Sequence, residues 1–146
     1  MTSQTNDIRP ETGAEVLELL KQGNIRYVDS LTSTDPMTQK RPELVSVQNP
    51  LAIILGCSDA RVPVEIVFDQ GLGELFVIRV AGNIVAPSQI GSVEFAAATF
   101  NTKLVVVLGH SSCGAVSACV NAVMNPEQNY SPNLQSIVDR IRPSVY

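Results

Sequence analysis

Two short clusters supply groups that could act together: Cys57-Ser58-Asp59-Ala60-Arg61 and His110-Ser111-Ser112-Cys113-Gly114 bring two thiols, one imidazole and one carboxylate. Zinc takes Cys sulfur and His nitrogen in tetrahedral geometry, and a catalytic zinc keeps one position open for water or substrate. Cys57, His110 and Cys113 are therefore the expected fixed ligands of a Zn2+ ion, with Asp59 or water in the fourth place. Arg61, two residues beyond Asp59, is expected to pair with that carboxylate and keep it ionised in a water-poor cleft.

Duller readings fare worse. Gly109-His110-Ser111-Ser112-Cys113 also looks like the strand-to-helix elbow of a serine hydrolase, but such a nucleophile needs a separate histidine as base, and His110 is the only one in the chain. Isolated cysteines are usually inert core residues. Two of them, each ending a strand-like run and each within three residues of another metal-competent group, fit that reading poorly. A structural zinc would more commonly show paired Cys-x-x-Cys motifs, and it would leave Asp59 and Arg61 without a task. Cys119, inside the apolar Ala115-Val116-Ser117-Ala118-Cys119-Val120, has no neighbouring donor and is read as core.

The clusters must be positioned by the elements before them. Leu51 to Gly56 and Leu104 to Gly109 are continuous apolar runs of the kind found in parallel strands buried on both faces. Ligands in open α/β sheets gather beyond the carboxyl ends of the strands, which is where both clusters would emerge. Between them, Glu74 to Val80 predicts a further buried strand, and Val64 to Phe68 a short helical turn. Gly71 and Gly73 mark a chain reversal, and a helix is predicted from Ser88 to Phe100, its Ala96-Ala97-Ala98 run packed on the sheet. A helix should follow near Ser112 or Cys113. Upstream, Thr12-x-x-Glu15 forms a capping box before Val16, Leu19, Leu20 and then Gly23 or Tyr27 at helical spacing. Residues 30 to 50, with Pro36, Pro42 and Pro50, read as an irregular connection containing at most a short helix. The order β-α-β-α-β-α predicts an α/β fold with a mainly parallel β-sheet flanked by helices.

At 146 residues the length suits one domain, taken as 11 to 146 with an N-terminal helical arm at about 11–30 after a polar leader at 1–10. Hydrophobic residues make up 45% and charged residues 16%, a balance that suits a buried sheet or a subunit with a sizeable interface. The net charge of -4, without a basic run, argues against a nucleic-acid partner. No apolar stretch approaches the ~18 residues that span a bilayer, and Met1 to Asp7 lacks the signature of a secretory signal, so no membrane association and a cytoplasmic location are expected. An odd count of three cysteines argues for reduced thiols available to a metal.

On these residues the chain resembles the β-class carbonic anhydrases. The family pattern Cys-x-Asp-x-Arg followed by His-x-x-Cys is complete at Cys57, Asp59, Arg61, His110 and Cys113. The likeness extends through Gly23-Asn24-Ile25-Arg26-Tyr27, Val62-Pro63, Gly73 to Arg79, Ala81-Gly82-Asn83, Gly91 to Ala96 and the segment ending Ile141-Arg142-Pro143. Family members normally continue past that segment into another strand and further helices, so the expected fold lacks the usual C-terminal strand and helices, whether the chain is a fragment or a shortened form.

The resemblance implies a zinc lyase that reversibly hydrates carbon dioxide to bicarbonate and a proton by zinc-bound hydroxide. It makes Asp59, paired to Arg61, either an orienter of that hydroxide or a fourth ligand in a closed state. It implies substrate contacts from Gln48 and from an apolar lining of Phe76, Ala81 and Phe95, part of it reached across the interface of a homodimer or higher homo-oligomer. Gly114 is expected to offer a backbone N–H at a helix start. Two other functions remain open on sequence alone: hydrolysis of carbon disulfide or carbonyl sulfide on the same fold, and a zinc-stabilised assembly or regulatory domain without turnover.

Overall fold

Thr12 begins the first helix in the manner its spacing predicts. In the computed structural model, which describes residues 9–32 and 42–145, helix α1 spans Gly13–Val28. The Thr12 hydroxyl accepts the Glu15 N–H at 3.2 Å while the Glu15 carboxylate accepts the Thr12 N–H at 3.0 Å, so two otherwise orphaned donors are satisfied. Of the irregular connection expected at 30–50, residues 33–41 lie outside the described residues and 42–50 is turn, bend and coil without a helix; most of the 1–10 leader also lies outside them.

Three strands follow: β1 (Ala52–Gly56), β2 (Leu75–Arg79) and β3 (Val105–Leu108), all parallel in the order β2-β1-β3. Strand β1 is central and buried throughout. On one sheet face, Ala52 and Ile54 pack with Val16 and Leu20 of α1 and with Val64, which opens the four-residue helix α2 (Val64–Val67). On the other, Ile53, Leu55 and Ile78 pack against Val93, Ala96 and Phe100 of α3 (Pro87–Phe100). Helices α4 (Gly114–Met124) and α5 (Pro132–Ile141) then pair beside the sheet around Cys119, Ala122, Val138 and Ile141. Cys119 is fully buried there and its S–H meets Val138 O at 3.4 Å, as an inert core residue would.

Three expectations need correcting. Strand β3 is not buried on both faces: Val105 and Val107 are 45% and 61% exposed. It lies at the edge of the three-stranded sheet, and α3 covers β1 and β2 but not this side of β3. Strand β2 is mostly half-buried, with only Ile78 fully inside, for the same reason of an edge position. Of the three consecutive alanines on α3 only Ala96 faces the sheet, because successive helical residues point ~100° apart. Helix α5 was not anticipated, although Ser131-Pro132 is a serviceable cap signal: the Ser131 hydroxyl accepts the Leu134 N–H and proline occupies the first turn.

Helix α1 is fastened to the segment after α2. A Cβ on Gly23 would stand 1.8 Å from Phe68 O, so only glycine lets the two backbones meet. Asn24 Nδ2 donates to Val67 O at 3.0 Å, and Arg26 pairs with the largely buried Asp69 carboxylate at 2.5 Å. Gly23→Ala is thus expected to destabilise the protein by about 2 kcal/mol or more, even though alanine gains about 1 kcal/mol of helix propensity. Urea denaturation measures it; an equal or higher midpoint would contradict this docking.

Candidate metal centre

Strand register determines where the two clusters meet. Gly56 pairs with Leu108, so Cys57 and Gly109 leave the sheet side by side and His110 lies one residue farther out at the same carboxyl edge. Beyond it Ser112 adopts φ +56, a left-handed turn that swings the chain so that Cys113 becomes the N-cap of α4. The first loop is held from the neighbouring strand: Arg79, the last residue of β2, donates through Nε to Cys57 O at 2.8 Å and through Nη2 to Asp59 O at 2.5 Å.

The result is a compact donor set. The ligand atoms of Cys57, His110 and Cys113 all lie within 4.8 Å of one another. Their sulfurs are 3.9 Å apart, against the ~3.8 Å separating two sulfurs bound ~2.3 Å from one tetrahedral zinc. His110 Nδ1 lies 2.9 Å from Ser111 O, which makes it the donor and leaves the Nε2 lone pair facing inward. That Nε2 is buried without a hydrogen-bond partner, a costly state that a metal would relieve. Two sulfurs and one imidazole nitrogen at this spacing are a donor set that zinc would accept.

Electrostatics agree with the geometry. Burial pushes the Cys57 thiol up, but His110, the amide N–H groups of Asp59 and Gly82, and the Cys113 thiol together bring it down to about 7. The nearby Cys57 sulfur, the Ser111 carbonyl and the Asp59 charge raise His110 above its ordinary value despite burial. Arg61 grips Asp59 with both arms, Nε to Oδ1 at 2.9 Å and Nη2 to Oδ2 at 2.8 Å, and adds its own backbone N–H at 3.0 Å. This holds the Asp59 carboxyl well below the usual carboxylate range. Arg61 Nη2 also donates to Ser112 O at 3.1 Å, tying the first cluster to the second. Asp59 Oδ2 stands 3.8 Å from His110 Nε2, next to the donor set but held by Arg61 instead of joining it.

The residues expected around the substrate divide into two groups. Ala81 and Gly114 are at the centre: Ala81 adjoins Gly82, whose N–H meets Cys57 Sγ, and Gly114 begins α4 with open space where a side chain would project. Gln48, Phe76 and Phe95 are not brought there by their own chain. Phe76 pairs with Ile53, four residues back along the sheet from Cys57, or ~13 Å at ~3.3 Å per residue. Phe95 touches Phe76 at a ring separation of 6.2 Å and is 55% exposed. Gln48 lines an open groove of about 810 Å³ with Leu44, Val45, Val47, Leu72 and Gly73, at the amino end of the strands.

Two residues of the centre had no role on sequence grounds, Arg79 and Gly82. A cation closing an apolar strand was a usable signal for Arg79; for Gly82 a glycine just past a strand end is too common to single out.

Comparison with known proteins agrees with this arrangement. A family model described as carbonic anhydrase matches residues 52–146. Carbonic anhydrase 2 of Mycobacterium tuberculosis is 42% identical over 127 residues, covering 86% of this chain and 61% of that protein. The chain thus spans about 61% of the length of the mycobacterial relatives it matches. Among solved structures, a Coccomyxa beta-carbonic anhydrase in complex with acetazolamide superposes with a TM-score of 0.61 at 27% identity, over 84% of this chain and 55% of that one. A tetrameric beta-carbonic anhydrase from Sordaria macrospora gives 0.64 at 23% identity, over 88% and 64%, and shares the fold.

Proposed function

Because this chain belongs to the β-class carbonic anhydrase family, we propose that its Cys57-His110-Cys113 centre holds zinc and serves the reversible hydration of carbon dioxide to bicarbonate. The observation that carries this reading is the convergence of two sulfurs and an unpartnered, inward-facing imidazole nitrogen at one sheet edge. Zinc held there would act as a Lewis acid, lowering the pKa of water toward neutrality, and so would supply the nucleophile.

The chain's own residues arrange the rest. Asp59, ionised and 3.8 Å from the imidazole, accepts a hydrogen bond from the attacking water and aims it at the substrate carbon. Arg61 keeps that carboxylate off the donor set by holding both oxygens. The Gly114 N–H, at the positive end of α4, meets the oxygen on which negative charge grows. Ala81 supplies apolar wall beside Cys57.

The remaining wall comes from a second copy in this reading. Gln48, Phe76 and Phe95 lie too far along the sheet to serve their own site, and Phe95 with Val45, 86% exposed, and Val47 offers apolar surface for association. A homodimer or larger homo-oligomer that sets this surface against the neighbouring centre completes the pocket. No helix among the described residues is long and apolar enough to cross a membrane.

The test combines zinc content, solution mass and stopped-flow hydration of carbon dioxide on the same preparation. One zinc per chain, an oligomer and a rate well above buffer are expected; stoichiometric zinc with a buffer-level rate sinks the proposal. With the sole histidine acting as a ligand, no imidazole remains to export protons. The rate should therefore climb with buffer concentration, and a buffer-independent rate would point to a proton path through other groups.

A further inference from the structure

We infer that Gly82 is a positioning residue of the metal centre: its backbone N–H is a built-in hydrogen-bond donor to the Cys57 sulfur, pressed into place by Ile141 and Ala115. The inference rests on the zinc reading above and concerns what tunes the ligand, not which residues are ligands.

Gly82 lies in the 3-10 turn Ala81–Asn83 that follows β2. Its N–H points at Cys57 Sγ from 3.3 Å. The turn is anchored through the residue that precedes it: Val80 N–H donates to the carbonyl of Gly56, the residue before Cys57, and Val80 O accepts the Asn83 N–H. The donor is thereby referenced to the same strand that delivers the thiolate, so the N–H and the sulfur cannot drift apart without breaking sheet pairing.

Glycine is required for two separate reasons. Its φ is +69, a left-handed conformation that L side chains rarely adopt. A Cβ there would also stand 2.7 Å from Ile141 Cδ1 and 3.1 Å from the Ala115 Cβ. Ala115 is the second residue of α4, the helix capped by Cys113, and Ile141 ends α5, which packs on α4. The helix that carries one thiolate therefore seats the amide that bonds the other. A buried amide needs an acceptor, and a thiolate that accepts an N–H gives up part of the charge it would otherwise donate to a metal. Removing the bond should strengthen sulfur-to-metal charge donation and loosen the ligand's alignment.

The experiment uses the chain loaded with cadmium-113 and labelled with nitrogen-15 glycine. A scalar coupling between the Gly82 amide proton and cadmium, transmitted through Cys57 Sγ, is expected. Metal-bound protein with no coupling at that amide overturns the inference and leaves the zinc reading intact. Failure to bind cadmium through thiolates at all overturns both. With cobalt(II), the thiolate charge-transfer band of Gly82→Ala should move to longer wavelength and its affinity should fall about 10–100-fold. Should Gly82→Ala not fold, Gly82→Ala/Ile141→Val, which removes the clashing Cδ1, is read in its place. An unshifted band and undiminished affinity in whichever variant folds would overturn the positioning role.

Discussion

Cys57→Ser is expected to abolish zinc binding and, with it, carbon dioxide hydration. Cys57 is 6% exposed, at the end of the fully buried strand β1, and its sulfur stands 3.9 Å from that of Cys113. A serine hydroxyl stays protonated near neutral pH, and its shorter bond to Cβ retracts the donor from the shared position. Changes in groups that merely support a ligand cost about 10–100-fold in metal affinity, so losing the ligand itself should exceed that. Metal analysis after dialysis, with circular dichroism to verify the fold, measures the effect. Cys119→Ala is the matched control, since that thiol sits between α4 and α5 and should leave zinc unchanged. Full zinc occupancy in Cys57→Ser would remove Cys57 from the ligand set.

Asp59→Asn should do the reverse, keeping the metal while slowing turnover by about 10²–10⁴-fold, the usual range for a positioned acid or base. The three converging donor atoms do not include Asp59, and both of its oxygens are engaged by Arg61. An amide offers an acceptor at only one of its two terminal atoms and so cannot take the two-oxygen guanidinium pairing, nor does it attract the proton of an attacking water as a carboxylate does. Zinc loss equal to that of Cys57→Ser would instead identify Asp59 as a permanent ligand.

The same pair sets a pH dependence. Arg61 lowers the Asp59 pKa in the folded state, so the pair's stabilisation is complete above the unfolded carboxylate value and is lost as pH falls through the lower folded one. In acid titration, Asp59→Asn should therefore lose less stability than the parent protein between those two values.

The convergence of the three candidate donors was legible in the sequence because its signal is local. Each cluster follows an apolar run, and a chain that must leave a sheet does so at a strand end, so residue order alone places Cys57 and His110 at one edge. The capping box at Thr12 and the core role of Cys119 are equally short-range and equally readable. Exposure was not. Leu104 to Leu108 is as apolar as Leu51 to Leu55, yet Val105 and Val107 face outward, because burial depends on whether a neighbour covers a strand and not on the strand's composition.

The sequence by itself thus determined which side chains can grip a metal and which elements carry them. Only the tertiary structure decided which other groups attend them. Arg79 at the end of β2 and Gly82 in the turn after it reach the centre because parallel pairing places the end of that strand beside Cys57, twenty-two and twenty-five positions away in the chain. The same pairing leaves Gln48, Phe76 and Phe95 toward the far end. A motif records spacing along the backbone, whereas the support and lining of a site are set by register across a sheet, and register comes from the packing of the whole fold.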